Sequence, residues 1–253
     1  MRFLNSINSL NLALSTLVLI GTQIYWGWYF ILLGFLLSLV SNTESRVHFL
    51  ILYVCLSILG FTHINTHIDN SHMLSMGAKL SLVLVIAFVG TKLFSPNKAL
   101  DFSWNWSALK LKTNQHYILT GLIVGSFIIP FYLWHSQAYL NWAVTFTPFE
   151  ITKLFVGTNG LGIWDELFFI NVVFVLLRYH LPFGPANLAQ AVLFTSFLFE
   201  LGFTGWGPLL IFPFALTQAF VYEKTKSLGL VLVLHLILDF ILFCSLLYWH
   251  WAL

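Results

Sequence analysis

Charge is what this sequence has least of. Only 8% of its 253 residues are Asp, Glu, Lys or Arg, against about a quarter in ordinary soluble domains. The formal net charge is +2, and no cluster of basic residues stands out, which argues against a nucleic-acid partner. Cysteine is nearly absent as well. Cys55 and Cys244 both lie inside apolar runs, so they read as small buried hydrophobes and not as a disulfide framework. There is no tandem repeat, no low-complexity tract, and no linker long enough to join a soluble domain. The opening stretch MRFLNSINSLNL has one positive charge and no small-residue cleavage site. It reads as part of the first span and not as a removed leader.

What fills the chain instead is hydrocarbon: 59% of residues are hydrophobic and 18% aromatic. Continuous apolar runs of about 16–22 residues recur, each long enough to cross a ~30 Å bilayer core. Because the runs do not alternate, they argue for helices and against a β-barrel. The fold class is therefore all-α, a polytopic transmembrane bundle of 8–9 spans. The spans fall near 5–21, 25–41, 47–62, 74–94, 116–136, 161–178, 188–203, 208–222 and 228–249. The first two share one apolar run, 10–40, which as a single helix would be ~46 Å long. A turn at Gly21-Thr22-Gln23 would split it.

Lys and Arg orient the bundle. Arg46, Lys92, Lys98, Lys110, Lys112, Arg178, Lys224 and Lys226 fall on one side of the alternating scheme, with Arg2 joining them if the first run splits. Lys79 and Lys153 alone fall on the other. This places loops 95–115, 179–187 and 223–227 in the cytoplasm of a bacterial-type plasma membrane and the C-terminus outside it. Trp104 and Trp106 beside Lys110 and Lys112 mark 95–115 as a segment lying in the lipid interface. The chain divides into N-terminal spans, 1–150, and a stretch 151–253 that carries the intramembrane polar residues, the two forming one membrane unit.

Ionisable groups inside hydrocarbon are costly, so their clustering carries the functional signal. Asp165, Glu166, Glu200 and Asp239 all lie in apolar runs of the last third. His235 and Asp239 are four apart and share a helix face. A buried His beside a carboxylate is a better base or a better-oriented metal ligand; equally, the two can be a structural pair. Glu200 either joins this cluster or is neutralised, by a proton or by a cation such as Arg178. The loop HINTHIDNSH offers His63, His67, Asp69 and His72 as a second metal-type set, or else is simply a polar loop with Asn70 or Ser71 capping the next helix.

In order and spacing, three segments resemble the CAAX prenyl protease and bacteriocin-processing (CPBP) intramembrane proteases. WDELFFIN at 164–171 is similar to that family's Glu-Glu-x-x-x-Arg motif. LFELGF at 198–203 stands where it has Phe-x-x-x-His, and HLILD at 235–239 matches His-x-x-x-Asn/Asp. The resemblance covers roughly 150–248 and makes 151–253 a CPBP-like core. It implies an endopeptidase working inside the bilayer on hydrophobic or prenylated peptides, with Asp165, Glu166, His235 and Asp239 catalytic. The resemblance is compatible with zinc or with a glutamate working without metal; if a metal is held, Glu166, Glu200, His235 and Asp239 are the candidate ligands. The sequence departs from the pattern at Asp165 (for Glu), Ile170 (for Arg) and Phe203 (for His). Those departures keep two other readings in view: a non-catalytic family member acting as an immunity or scaffold protein for a membrane partner, and an ion-coupled carrier.

Overall fold

The computed structural model describes residues 2–62 and 64–252. Among them nine helices and a few short 3-10 turns account for all regular structure, with no strand. Helix α1 (Arg2–Thr16) runs on into a π-helical turn, Leu17–Gly21. It is followed by α2 (Gly27–Leu39), α3 (Thr43–Gly60), α4 (Asn70–Phe94) and α5 (Lys112–His135). Helix α6 (Pro148–Arg178) contains a π-helical segment, Glu166–Phe174. Helices α7 (Phe183–Leu201), α8 (Pro208–Thr225) and α9 (Leu228–Ala252) complete the bundle. Six of the nine are long and apolar enough to cross a membrane, and α2 is apolar but only 13 residues long.

The long first run does divide. The chain leaves the helix after Gly21 and passes through Gln23 at φ 55 before α2 begins. Helices α1, α2 and α3 are then joined by a polar network within the apolar bundle. Asn11 Nδ2 donates to Tyr53 Oη at 2.9 Å and to the Phe30 carbonyl at 2.8 Å. Tyr53 Oη donates to Asn8 Oδ1 at 2.9 Å, and Asn8 Nδ2 donates to Ser38 Oγ at 3.2 Å. Tyr53 reaches this position because Gly34 makes room: a Cβ there would stand 2.0 Å from the ring. Interhelical hydrogen bonds in membranes are worth about 0.6–1.7 kcal/mol. Tyr53→Phe, which leaves two buried asparagines short of a partner, is expected to destabilise the fold by about 1–3 kcal/mol. Thermal unfolding in detergent measures it; an unchanged midpoint would mean that the network carries no stability.

Helix α6 is the axis of the molecule. Trp164, Phe168, Phe169, Val172, Val173 and Phe174 on it are all buried in the main core, which also takes in Leu12, Tyr53, Phe194, Ala219 and Val231 from five other helices. Trp164 Nε1 donates to the Leu80 carbonyl of α4 at 2.8 Å, fixing the height of α6 beside its acid pair. By contrast α4 and α5 turn Leu82, Val85, Val89, Leu119, Leu122 and Phe127 outward, as helices facing lipid do. Cys55 is buried as expected, but Cys244 is exposed on α9, so only one of the two cysteines is a core residue.

The expected start of the acidic span at 161 needs correction, because α6 begins at Pro148. Thr147 caps it, its hydroxyl accepting the Glu150 N–H, with proline at the first helical position and an acid in the first turn. Gly157, Gly160 and Gly162 therefore lie inside a helix. In hydrocarbon the backbone satisfies itself by staying helical, and glycine there permits close helix packing. Similarly, α4 is capped by Asp69, not by Asn70 or Ser71.

Candidate functional site

The earlier start of α6 sets the depth of the site. Glu166 lies eighteen residues into the helix, and its π-helical segment begins there, a distortion often found at functional positions. His235 lies seven residues into α9. The two meet: His235 Nδ1 is 2.6 Å from Glu166 Oε1. The other ring nitrogen, Nε2, is 3.6 Å from Asp239 Oδ1 and 3.9 Å from Asp165 Oδ2, both longer than a hydrogen bond. Asp165, Glu166, His235 and Asp239 are exposed by 8% or less. The rings of Phe214 and Phe194, at 5.3 and 5.9 Å, wall the imidazole on the apolar side. Asp165 Oδ1, Glu166 Oε2 and Asp239 Oδ2 are buried without a hydrogen-bond partner.

Two further residues build this cluster. Gln218, buried in α8, donates its Nε2–H to Glu166 Oε1 at 2.7 Å. The sequence reading did not single it out, although a lone amide in an apolar span needs a partner and so carried a signal. Gly162 allows α9 to close on α6: a Cβ there would stand 1.8 Å from Asp239 Oδ2 and 3.3 Å from His235 Cδ2.

Glu200 does not join them. It lies at the far end of α7, about 25 Å along that helix from its start, whereas His235 is only about 10 Å from the start of α9. Its carboxylate takes the Ile64 backbone N–H instead. Arg178, the cation considered for it, pairs with Glu223 at 2.8 Å at the opposite end of the bundle. Nor do Glu200 and Phe203 share a helix face, because α7 ends at Leu201 and Gly202 turns the chain at φ 121. Phe203 then stacks on Tyr132 and meets Trp142 edge-on. Ile170, where the resemblance has an arginine, is buried in the apolar core.

Asp165, Gln218, His235 and Asp239 line an open cavity of about 1000 Å³ bordered mainly by α4, α5, α6, α8 and α9. Its walls are mostly apolar, with Met76, Leu80, Val124, Leu154, Phe214 and Leu242 among them. It reaches from His116 and Tyr117 at one end to Asn65, Trp142 and Phe203 at the other. Polar groups that can handle a proton are thus gathered on one wall of a space wide enough for a large hydrophobic ligand.

Among the described residues no three His, Cys, Asp or Glu side chains are arranged to hold an ion. Within the cluster, Nδ1 of the only imidazole is engaged by Glu166, Glu200 lies elsewhere, and Phe203 brings no ligand. On the other side of the ring Nε2 faces the Asp239 and Asp165 carboxylates, and the steps proposed for this site use protein groups and water. In the second candidate set, His63 lies outside the described residues. His67 and His72 stand with ring centres 6.1 Å apart, and Asp69 is occupied as a helix cap. The Ser71 hydroxyl, followed by the His72 N–H, holds the Asp69 carboxyl below the usual carboxylate range.

No curated protein and no solved structure matches the chain. Residues 147–241, from the cap of α6 into the middle of α9, match the family model described as type II CAAX prenyl endopeptidase Rce1-like. That stretch contains the whole Asp165, Glu166, Gln218, His235 and Asp239 cluster, and over it the chain is similar to the type II CAAX prenyl endopeptidases of the CPBP family.

Proposed function

We propose that this protein is an intramembrane endopeptidase that cleaves peptide chains carrying a large hydrophobic anchor, such as a prenylated C-terminal tail. The observation that carries the reading is His235 on the wall of a mainly apolar cavity of about 1000 Å³, with Glu166 behind it at 2.6 Å from Nδ1. The anchor occupies the apolar length of the cavity, and the peptide bond comes to rest against His235. Neither carboxylate near Nε2 is within hydrogen-bond reach, which leaves that nitrogen to meet a water. The Asp239 and Asp165 oxygens are placed to take the water's second hydrogen.

Nε2 removes a proton as the water oxygen bonds to the carbonyl carbon, and the carbonyl π pair moves onto its oxygen. The tetrahedral centre then collapses, the C–N bond breaks, and the proton on Nε2 passes to the departing nitrogen. Glu166, buried behind Nδ1, holds the ring and stabilises the imidazolium, the part played by the acid in serine hydrolases. Purified protein in lipid nanodiscs, given a panel of farnesylated and plain hydrophobic peptides, tests this by mass spectrometry of the products. Wild-type protein that cuts nothing across the panel overturns it in favour of a binding role, to which the apolar residues at Ile170 and Phe203 pose no obstacle.

The orientation is part of the same proposal. The α3, α5 and α9 starts and the α4, α6 and α8 ends carry most of the Lys and Arg, so this side faces the cytoplasm. The site then lies in the cytoplasmic half of the membrane. Reporter fusions are expected to read cytoplasmic within 95–115 and extracytoplasmic after α9; a cytoplasmic reading at the second point reverses the scheme.

A further inference from the structure

We propose that Gln218 is a positioning residue that sets the tautomer of His235. The inference rests on the reading of His235 as the base in peptide cleavage and adds what makes it one. An imidazole can accept a proton at Nε2 only if its single hydrogen sits on Nδ1. In a protein, the hydrogen bonds made by the ring nitrogens set where that hydrogen sits.

The neighbour of Nδ1 is Glu166 Oε1, at 2.6 Å. A carboxyl oxygen could present a lone pair to Nδ1, which then carries the hydrogen, or an O–H, which sends the hydrogen to Nε2. Gln218 decides between them. Its Nε2 can only donate, and it donates to the same Oε1 at 2.7 Å. With one N–H already directed at it, Oε1 is favoured as the negative, accepting oxygen, and Nδ1–H supplies its second bond. Any proton the carboxyl keeps goes to Oε2, which has no partner in the protein. Gln218 is only 2% exposed, so water does not readily substitute for it. The groups facing Nε2 are Asp239 and Asp165, at 3.6 and 3.9 Å. Neither is close enough to impose the other tautomer by a direct bond.

Gln218 stands on α8, the acid on α6 and the imidazole on α9. Three helices must therefore be seated together before the base is armed. A side chain that served only packing would be replaceable by leucine or methionine without changing the ring.

The test is nitrogen-15 NMR of histidine-labelled full-length protein in nanodiscs, with the His235 signal assigned by its loss in His235→Ala. Wild type is expected to show hydrogen on Nδ1. Gln218→Leu, and Gln218→Met if the leucine variant does not fold, are expected to move a substantial share of it to Nε2. Their kcat should fall about 10²-fold, with KM changed less than threefold, the loss expected of a general base in the wrong protonation form. Hydrogen on Nε2 in the wild type, or a tautomer unaltered in the folded variants, overturns the role of Gln218 whatever the activity. Hydrogen on Nδ1 in the wild type and its shift in the variants, found together with wild-type protein that cleaves nothing, overturn the protease reading alone, because the ring readout does not depend on turnover.

Discussion

Glu166→Gln is expected to leave the bundle folded and to lower peptide cleavage by about 10⁴-fold, the loss seen in serine hydrolases when the acid behind the catalytic imidazole becomes an amide. The substitution preserves shape, so packing around the π-helical segment changes little. It removes the negative charge that sits 2.6 Å from His235 Nδ1, and with it the stabilisation of the imidazolium that forms as water attacks. It also sets a second amide against Gln218, whose N–H then competes with the ring for one carbonyl oxygen. Cleavage of a farnesylated peptide in nanodiscs, with folding checked by gel filtration and thermal unfolding, measures the effect. Activity retained within tenfold would remove Glu166 from the mechanism.

The second large effect is expected at a residue with no side chain. Gly162→Ala places a methyl group 1.8 Å from Asp239 Oδ2 and 3.0 Å from its Cγ, on the line where α6 and α9 touch. The far end of Asp239 can swing away, but it is then lost from the Nε2 side of His235. If it stays, α9 must move outward and carry His235 from Glu166. Overpacking of this kind costs about 1–3 kcal/mol. A displacement of ~1 Å in a catalytic contact costs about 10²-fold in rate. Gly160→Ala is the control, since a Cβ there meets nothing within 4 Å and should leave cleavage and unfolding unchanged. Equal behaviour of the two variants would show that the α6–α9 approach is not needed.

How much of this was legible before the tertiary structure differs from residue to residue. Helix number and order follow from run length, because a bilayer accepts only helices that satisfy their own backbone. The split of the first run and the His235–Asp239 face were visible for the same reason of period and length. The start of α6 was also present, in Thr147-Pro148-Phe149-Glu150, a helix-opening pattern that the three glycines after it obscured. Gln218 could have been suspected as a lone amide, but not assigned: spacing along one helix says nothing about which neighbour its side chain meets. Glu200 shows the converse error. Its residue type suited the cluster, yet depth in the membrane separated it.

The sequence by itself determined that this is a polytopic helical membrane protein with ionisable residues buried in its last third, since the bilayer imposes length and polarity on every span independently of its neighbours. Which of those residues form a site was decided only by the tertiary structure. Glu166, Gln218 and His235 lie 52 and 69 residues apart in the chain, on three helices whose relative depth and rotation depend on contacts such as Gly162 against Asp239 and Trp164 against Leu80. Interactions across helices carry no periodic trace in any one of them, so convergence had to be seen in three dimensions.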